Sequence, residues 1–319
     1  MQATWSEARS LWLLDVQDVQ SGQRTKWTAN VFIQAAGAYN RKVIPDIPGI
    51  DTFSGDTWHT ADWPEDYDFT GKTVAYVGTG ATSVQALPHI QAQALSVNVF
   101  CRSMSYCQGM TNFNYPSRVK WAFRYIPGLL SLYVFIVGSL FSLWVYHALR
   151  PGTWVAKYVE NGCRQHVEEN VSDPALRQQL MPSGRFGAKR PLVSYAGYFK
   201  MLQKDNIKVI SNPITAINES GVIVKASPGA ENMATPSERN PSHETNSSTA
   251  AISLDSEHIH KRADVLIWGT GFIMQGWGGA VRTVSSNGAV LSEHWKDCPK
   301  TLCGQYSPLL FASHLRNRY

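Results

Sequence analysis

Cysteine is scarce: the chain has five in 319 residues, an odd number and widely placed. A disulfide framework is thereby excluded, and a reducing compartment is implied. Cys298 and Cys303 form a C-x4-C, but no dinucleotide turn adjoins them, so both are expected as unpaired thiols. Charge is also thin, at 17% of residues, and the net +5 is spread without any Lys/Arg-rich block. Nucleic-acid binding is not implied by that balance, whereas an anionic cofactor suits it. Residues 1–10 lack a basic stretch followed by an apolar core, so no secretory signal is expected, and the location reads as cytoplasmic. No metal site is expected. What is present is apolar: 44% of residues are hydrophobic, enough for one large or two ordinary globular domains.

Residues 71–103 read as one complete strand, Gly-rich turn, helix and second strand. Thr73 to Val77 is a short β-branched run. Gly78-Thr79-Gly80-Ala81-Thr82-Ser83 follows at once, and then Val84, Leu87 and Ile90 recur at helical spacing. Gly78 suits a tight turn, Gly80 lets the backbone approach a pyrophosphate, and Ser83 is small enough for the helix to lie close to the strand. The helix N-terminus offers free N–H groups and a positive dipole end to phosphates. A G-x-G-x-x-S alone is weak, and it gains weight from the strand before it and the helix after it. The second strand ends on Arg102-Ser103, about 20 residues beyond the turn, where an NAD-type fold carries an acidic residue for the ribose 2′-OH. A guanidinium there suits a 2′-phosphate, so NADPH is expected rather than NADH. The alternative, a surface arginine at a strand end, is weaker given the complete unit that precedes it.

Upstream, residues 10–37 alternate as strands do, with a turn at Ser21-Gly22, and predict a β-meander feeding a buried strand over 30–37. Pro45, Pro48 and Gly49 mark an extended connection. Downstream, residues 125–149 contain no Asp, Glu, Lys or Arg, and 129–149 is long and apolar enough to be a transmembrane candidate. Arg118, Lys120 and Arg124 flank it on one side, Arg150 and Lys157 on the other. Ser131, Gly138, Ser139 and Ser142 fall near one helical face, which suits close packing in protein and equally between membrane helices. A buried or peripherally membrane-associated helix is expected. Residues 214–225 and 251–258 read as paired strands. The Pro-, Ser- and Asn-rich stretch between them predicts a disordered insertion. Residues 263–272 then give a buried strand with a Gly-Thr-Gly exit.

The segment Phe53-Ser54-Gly55-Asp56-Thr57-Trp58-His59-Thr60-Ala61-Asp62-Trp63-Pro64, just upstream of the Gly-rich turn, resembles the fingerprint F-x-G-x-x-x-H-x-x-x-W-P of Baeyer–Villiger monooxygenases, a branch of the class B flavin monooxygenases. The resemblance implies that Phe53, Gly55, His59 and Trp63 form a signature linker that packs differently as two domains rotate, with His59 coupling cofactor binding to that movement. A plain hydrogen-bonded linker histidine is the alternative. Gly187-Ala188-Lys189-Arg190, followed by Asp205-Asn206-Ile207-Lys208-Val209, is similar to a second stretch of the family. By that match Arg190 falls on the active-site arginine and Lys189 near the cofactor's 2′-phosphate. A fixed guanidinium stabilises the anion formed in oxygen activation and the charge developing on a ketone adduct, and it does not quench the anion by giving up a proton. Residues 269–272 resemble the family's A-T-G-F/Y motif, with Trp268-Gly269 in place of the usual small pair. Gly37 and Gly271, each at a strand exit, complete the candidate cofactor contacts.

The expected fold is α/β: a Rossmann-like NADP-binding domain with a helical insertion, plus β-rich remnants of an FAD-binding domain. The divisions are a β-meander remnant at 1–50, the signature linker at 51–70, and the NADP-binding domain at 71–225 with its insertion at about 112–182. A disordered insertion at 226–250 and the return strand with an incomplete C-terminal flavin part at 251–319 complete the chain. The resemblance implies an NADPH- and FAD-dependent enzyme that inserts one oxygen atom of O2 beside a ketone carbonyl, giving an ester or lactone in secondary metabolism. Only one of the two dinucleotide clamps such an enzyme needs is legible, so a truncated form with an incomplete FAD site and a missing flavin-domain half is expected. The alternatives are an N- or S-hydroxylating flavin monooxygenase, or a non-catalytic NADP-binding or membrane-binding remnant.

Overall fold

The structure is a computed structural model that describes residues 1–35, 39–110, 113–187, 191–194, 197–226, 258–273 and 281–295. It divides into two compact units, one formed by 1–43 with 271–319 and the other by 44–270. The first unit opens with β1 (Gln2–Ser6), β2 (Leu11–Gln17) and β3 (Arg24–Ala29), an antiparallel meander. Asp18 closes the hairpin between β2 and β3 by accepting from the Ser21 N–H at 2.7 Å. Ala3 and Trp12 are buried beneath this sheet, with Trp5 edge-on to Trp12 at 5.5 Å.

The second unit is a twisted parallel sheet with helices. Its elements in chain order are β4 (Asp56–His59), β5 (Thr73–Val77), α1 (Ala81–Gln93), β6 (Ser96–Phe100) and β7 (Cys107–Gly109). Then come α2 (Ser117–Tyr125), α3 (Leu129–Ala148), α4 (Trp154–Asn170), α5 (Pro174–Leu180), β8 (Leu192–Ser194), α6 (Tyr198–Met201) and β9 (Ile207–Ile210). The hairpin β10 (Ile214–Asn218) and β11 (Gly221–Lys225) follows, then β12 (His258–Arg262) and β13 (Val265–Trp268). The chain returns to the first unit with β14 (Arg282–Val284), parallel to β1, and α7 (Leu291–His294).

The main sheet has five parallel strands in the order β4-β13-β5-β6-β9. Strands covered on both faces should be apolar throughout, and β13 (VLIW) is: all four residues are buried. Each such aliphatic side chain contributes about 2 kcal/mol by leaving water. Helix α1 crosses from β5 to β6, burying Ser83, Leu87, Ile90 and Gln91. The side chain of Asn206, just ahead of β9, closes its C-terminus, donating to the carbonyls of Gln91 at 3.1 Å and Ala94 at 3.0 Å. The smaller antiparallel sheet β10-β11-β12 packs on the main sheet through Ile217, Val222 and Val224. Helix α4 is capped by Thr153, whose Oγ1 accepts from the Ala156 N–H at 3.1 Å, and α5 by Asp173 with Pro174 in the first turn.

The α/β class, the parallel sheet and the helical insertion agree with the sequence reading. Several details differ. The strand expected over 30–37 is not one: residues 30–35 carry no ladder, and Val31 and Ile33 stand 72% and 80% exposed. Among the described residues no strand lies beside them to supply hydrogen bonds, so apolar alternation alone did not make a strand. The stretch read as linker at 51–70 contains β4, an edge strand paired to β13. The return strand is β13, between β4 and β5 in the parallel sheet, and the chain's two units divide after residue 270. Helix α3 is not buried, and only its last residues, Trp144 and Ala148, pack against α4. The insertion expected at 226–250 lies outside the described residues except for Ala226.

Candidate functional site

In a parallel sheet the carboxyl ends of the strands collect at one edge, and a crevice opens where neighbouring strands leave in opposite directions. Here β5 continues through α1 to β6 on one side, while β13 lies on its other side. The turn Gly78–Ser83 sits at that switch. The Gly78 N–H donates to the Phe100 carbonyl at 3.0 Å, which brings the end of β6, and with it Arg102 and Ser103, beside the turn. Cys101 Sγ contacts Thr79 Oγ1 at 3.6 Å from the same strand end. Across the switch, the Gly269 N–H donates to the Val77 carbonyl at 2.8 Å.

Each residue of the turn has a distinct task. Gly78 holds φ at +122°, and a Cβ there would lie 2.3 Å from the Gly269 carbonyl oxygen, so only glycine fits. Gly80 is the opposite case: a Cβ would meet nothing within 4 Å, leaving the backbone open to an approaching ligand. Ser83 is fully buried, and its Oγ donates back to the Gly78 carbonyl at 2.9 Å, locking the turn. The N–H groups of Ser83 and Val84 both bond the Gly80 carbonyl, whereas those of Ala81 and Thr82 face the open first turn of α1. Two backbone donors at a positive helix end form an anion cradle. Arg102 is exposed just past β6 and forms no ion pair with a described residue. The open Gly80, the two donors and this cation suit a phosphorylated dinucleotide.

Gly269 was not foreseen as a site residue. A Cβ on it would stand 2.6 Å from the Tyr76 ring, so the glycine after Trp268 makes room for the aromatic of β5. Burial pushes the Tyr76 hydroxyl up to about 12, which keeps it neutral. Trp268 is buried and its Nε1 donates to Thr57 Oγ1 at 3.0 Å, tying β13 to β4. The departure from small residues at 268–269 is thus a packing arrangement, with the bulk turned into the core.

The fingerprint residues all have packing roles in the sheet unit. Phe53 packs against the inner core, and a Cβ on Gly55 would lie 2.3 Å from the Asp264 carbonyl oxygen. His59 ends β4 at 1% exposure, and its Nδ1 accepts from the Ala61 N–H at 3.1 Å. Trp63 stands edge-on to Trp58 at 5.9 Å in a cluster with Tyr67 and Phe69. Below them, Tyr67 donates to Asp56, and Lys72 Nζ lies 2.6 Å from the Tyr67 hydroxyl and 3.3 Å from Asp56 Oδ2. The Tyr67 hydrogen bond lowers the Asp56 pKa, and Lys72 adds to that shift.

Gly271 belongs to the other unit. It holds φ at +81°, and its carbonyl accepts from the Val43 N–H at 3.0 Å. Gly37, Lys189, Arg190, Cys298 and Cys303 lie outside the described residues.

No family model matches the chain. Among curated proteins it is similar to the FAD-binding monooxygenase BOA2 of Botryotinia fuckeliana, with 29% identity over 321 residues, covering 98% of this chain and 52% of the relative. A Baeyer-Villiger monooxygenase of Streptomyces coelicolor is 28% identical over 277 residues, covering 87% of this chain and 47% of its own length. The cyclohexanone 1,2-monooxygenase of Acinetobacter sp is 29% identical over 256 residues, covering 69% and 46%. The chain therefore spans about half the length of the curated relatives it matches. In fold it is similar to the cyclohexanone monooxygenase of Rhodococcus sp. Phi1 bound to NADP+, with TM-score 0.69 and 21% identity over 96% of this chain and 58% of that one. It is also similar to OTEMO in complex with FAD and NADP, with TM-score 0.68 and 22% identity over 95% and 57%. In sequence this chain is similar to FAD-binding and Baeyer–Villiger monooxygenases, and in fold it is similar to cyclohexanone monooxygenase and OTEMO.

Proposed function

We propose that this chain is the NADPH-binding portion of a flavin-dependent monooxygenase of Baeyer–Villiger type, acting on a ketone with O2. The observation that carries the reading is the turn at Gly78–Ser83: an open backbone at Gly80, uncommitted N–H groups at Ala81 and Thr82, and Arg102 exposed beside them. Bound NADPH and FAD supply the electrons and the O2 activation by which one oxygen atom enters beside a carbonyl, giving an ester or lactone, while the other leaves as water. The chain's own contribution is orientation and charge. The α1 N-terminus holds the pyrophosphate, and Arg102 with Ser103 takes the 2′-phosphate, with Lys189 close by. Arg190 places a fixed positive charge where oxyanion character develops. Gly37 and Gly271 contribute backbone contacts to the flavin. FAD, on this reading, takes most of its contacts from a further flavin-binding portion. The enzyme works in the cytoplasm, attached to a membrane through residues 129–149.

The test is a titration of the purified chain with NADPH and NADH, followed by NADPH consumption, with FAD and a set of cyclic and linear ketones, by the chain together with its flavin-binding portion. Preference for NADPH and consumption that depends on the ketone support the reading. A folded chain that binds neither nucleotide sinks it. Consumption driven by amines or sulfides, but not by ketones, moves the chemistry to heteroatom hydroxylation. Arg190→Ala should abolish ester formation while leaving NADPH affinity within about twofold, since an oxyanion contact acts on the chemical step.

A further inference from the structure

Helix α3 is long and apolar enough to cross a membrane, and none of its most apolar stretch is buried in the protein. At 100° per residue the exposed side chains of Leu132, Val134, Phe135, Val137, Leu140 and Phe141 are spread round the axis. Apart from the small strip of Ser131, Gly138 and Ser142 the helix is apolar round its axis, and such a helix left uncovered by protein is at home where water is absent. The surroundings are basic: between Phe69 and Val159 the sequence holds no Asp or Glu, while Arg118, Lys120, Arg124, Arg150 and Lys157 bracket the helix. Large aromatics stand at both of its ends, with Trp121 60%, Tyr125 58%, Trp154 75% and Tyr158 68% exposed. Arg124 lies over the Tyr125 ring at 5.6 Å and Arg150 over the Tyr146 ring at 5.0 Å. Aromatic belts and basic side chains at the ends of an apolar segment match the headgroup layer of an anionic membrane.

The sheet decides how such a helix enters. Strands β5 and β6 precede α3 and strands β9 and β13 follow it, yet all four belong to one hydrogen-bonded sheet. A single crossing would put the two pairs on opposite faces of the bilayer and break the ladder between β6 and β9. Both ends of α3 must therefore stay on one side. The C-terminal end is held to the body by Trp144 and Ala148 and by Thr153 Oγ1, which donates to the His147 carbonyl at 2.6 Å. At the other end α2 folds back, with the Tyr115 and Tyr133 hydroxyls 2.7 Å apart and Phe123 packed on Tyr133 at 5.0 Å.

We infer that the α2–α3 hairpin inserts into a single leaflet of a bilayer rich in anionic phospholipid, with its basic residues at the phosphates and α3 below them, and does not span. The inference rests on membrane attachment as such and adds its mode and its lipid. It is independent of the nucleotide reading.

The experiment has two arms. In flotation of the purified full chain, vesicles of phosphatidylcholine with phosphatidylserine should carry it upward, and vesicles of phosphatidylcholine alone should carry far less. Replacing Arg118, Lys120 and Arg124 together by Gln should weaken binding to the anionic vesicles about a hundredfold, at roughly fivefold per charge. Phe135→Asp with Phe141→Asp should abolish it, and because both side chains are exposed, the unchanged thermal melt serves as the folding control. In the second arm, Asn-x-Ser acceptor sites are placed ahead of residue 113 and after residue 170, and the chain is translated with microsomes. Neither should be glycosylated. Failure to float, or self-association that shields α3 in solution, overturns attachment itself. Flotation with glycosylation at one flank only leaves attachment standing and overturns the single-leaflet mode.

Discussion

Gly78 and Gly269 stand back to back at the carboxyl edge of the parallel sheet, where a Cβ on Gly78 would come within 2.3 Å of the Gly269 carbonyl oxygen. The two positions let β5 and β13 leave the sheet in close contact and set the opening that α1 faces. Gly78→Ala should therefore cost about 3 kcal/mol, from a strained φ together with a backbone clash. Gly80→Ala should do the reverse. With φ at −82° and open space around it, the variant should keep its stability within about 0.5 kcal/mol and lose about tenfold in NADPH affinity. Thermal melts and nucleotide titrations of the pair separate the two effects. Equal affinities for wild type and Gly80→Ala would remove the phosphate from this turn.

Arg102 carries the discrimination between cofactors. It is exposed at the end of β6, beside a turn that offers neutral backbone donors but no other described cation. Arg102→Ala should lower NADPH affinity by roughly ten- to a hundredfold, the range of a charge-assisted hydrogen bond, and leave NADH binding nearly unchanged. Higher salt should narrow the gap for the wild type, because the contact is open to solvent. A variant that loses both nucleotides equally would make Arg102 a structural residue.

The clamp was legible because it is local: β-branched strand, glycines, small residue and helix follow one another within a few turns of chain, and each residue's task depends on its neighbours. The strands β4 and β13 were legible only as apolar or patterned stretches. Their places in the sheet depend on pairing between Val265 and Asp56 and between Val265 and Val74, contacts far apart in sequence. The fingerprint from Phe53 to Trp63 was recognised as a pattern. That Gly55 accommodates the Asp264 carbonyl, and that His59 is a buried strand end, needed the assembled sheet. Helix α3 was found from its composition, but no periodicity distinguishes an apolar helix that protein covers from one that it leaves bare.

The buried thiols should be inert. Burial pushes Cys107 up to about 12 and Cys163 up to about 11, with Cys163 beside Cys107 and Glu160 beside Cys163 adding to the shifts. At pH 8 neither supplies appreciable thiolate in the folded protein. Alkylation followed by peptide mass spectrometry should leave both unmodified in buffer and modify both in denaturant. Rapid labelling of Cys163 in the native chain would show that α4 opens readily against β7.

Acid should loosen the helical side of the sheet unit through His166. Its ring lies against Phe199 at 5.4 Å and beside Gly109, where a Cβ would be 2.6 Å from Cε1, and its Nδ1 is 3.1 Å from the Asn170 amide. Burial lowers its pKa from the ordinary value, while Glu169 pulls weakly the other way. A base that is harder to protonate when folded binds fewer protons than in the unfolded chain. Stability from this group is therefore fully present above the ordinary histidine range of about 6.5 and is lost as pH falls from there toward the lowered folded value. His260, lowered by burial in β12, has the same sign. Urea unfolding between pH 7.5 and pH 5 should thus show a falling midpoint. His166→Gln should remove part of that slope, and Glu169→Gln should steepen it by taking away the charge that favours the imidazolium. If His166→Gln leaves the slope intact while His260→Gln flattens it, the acid sensitivity lies in the small antiparallel sheet and not against α4.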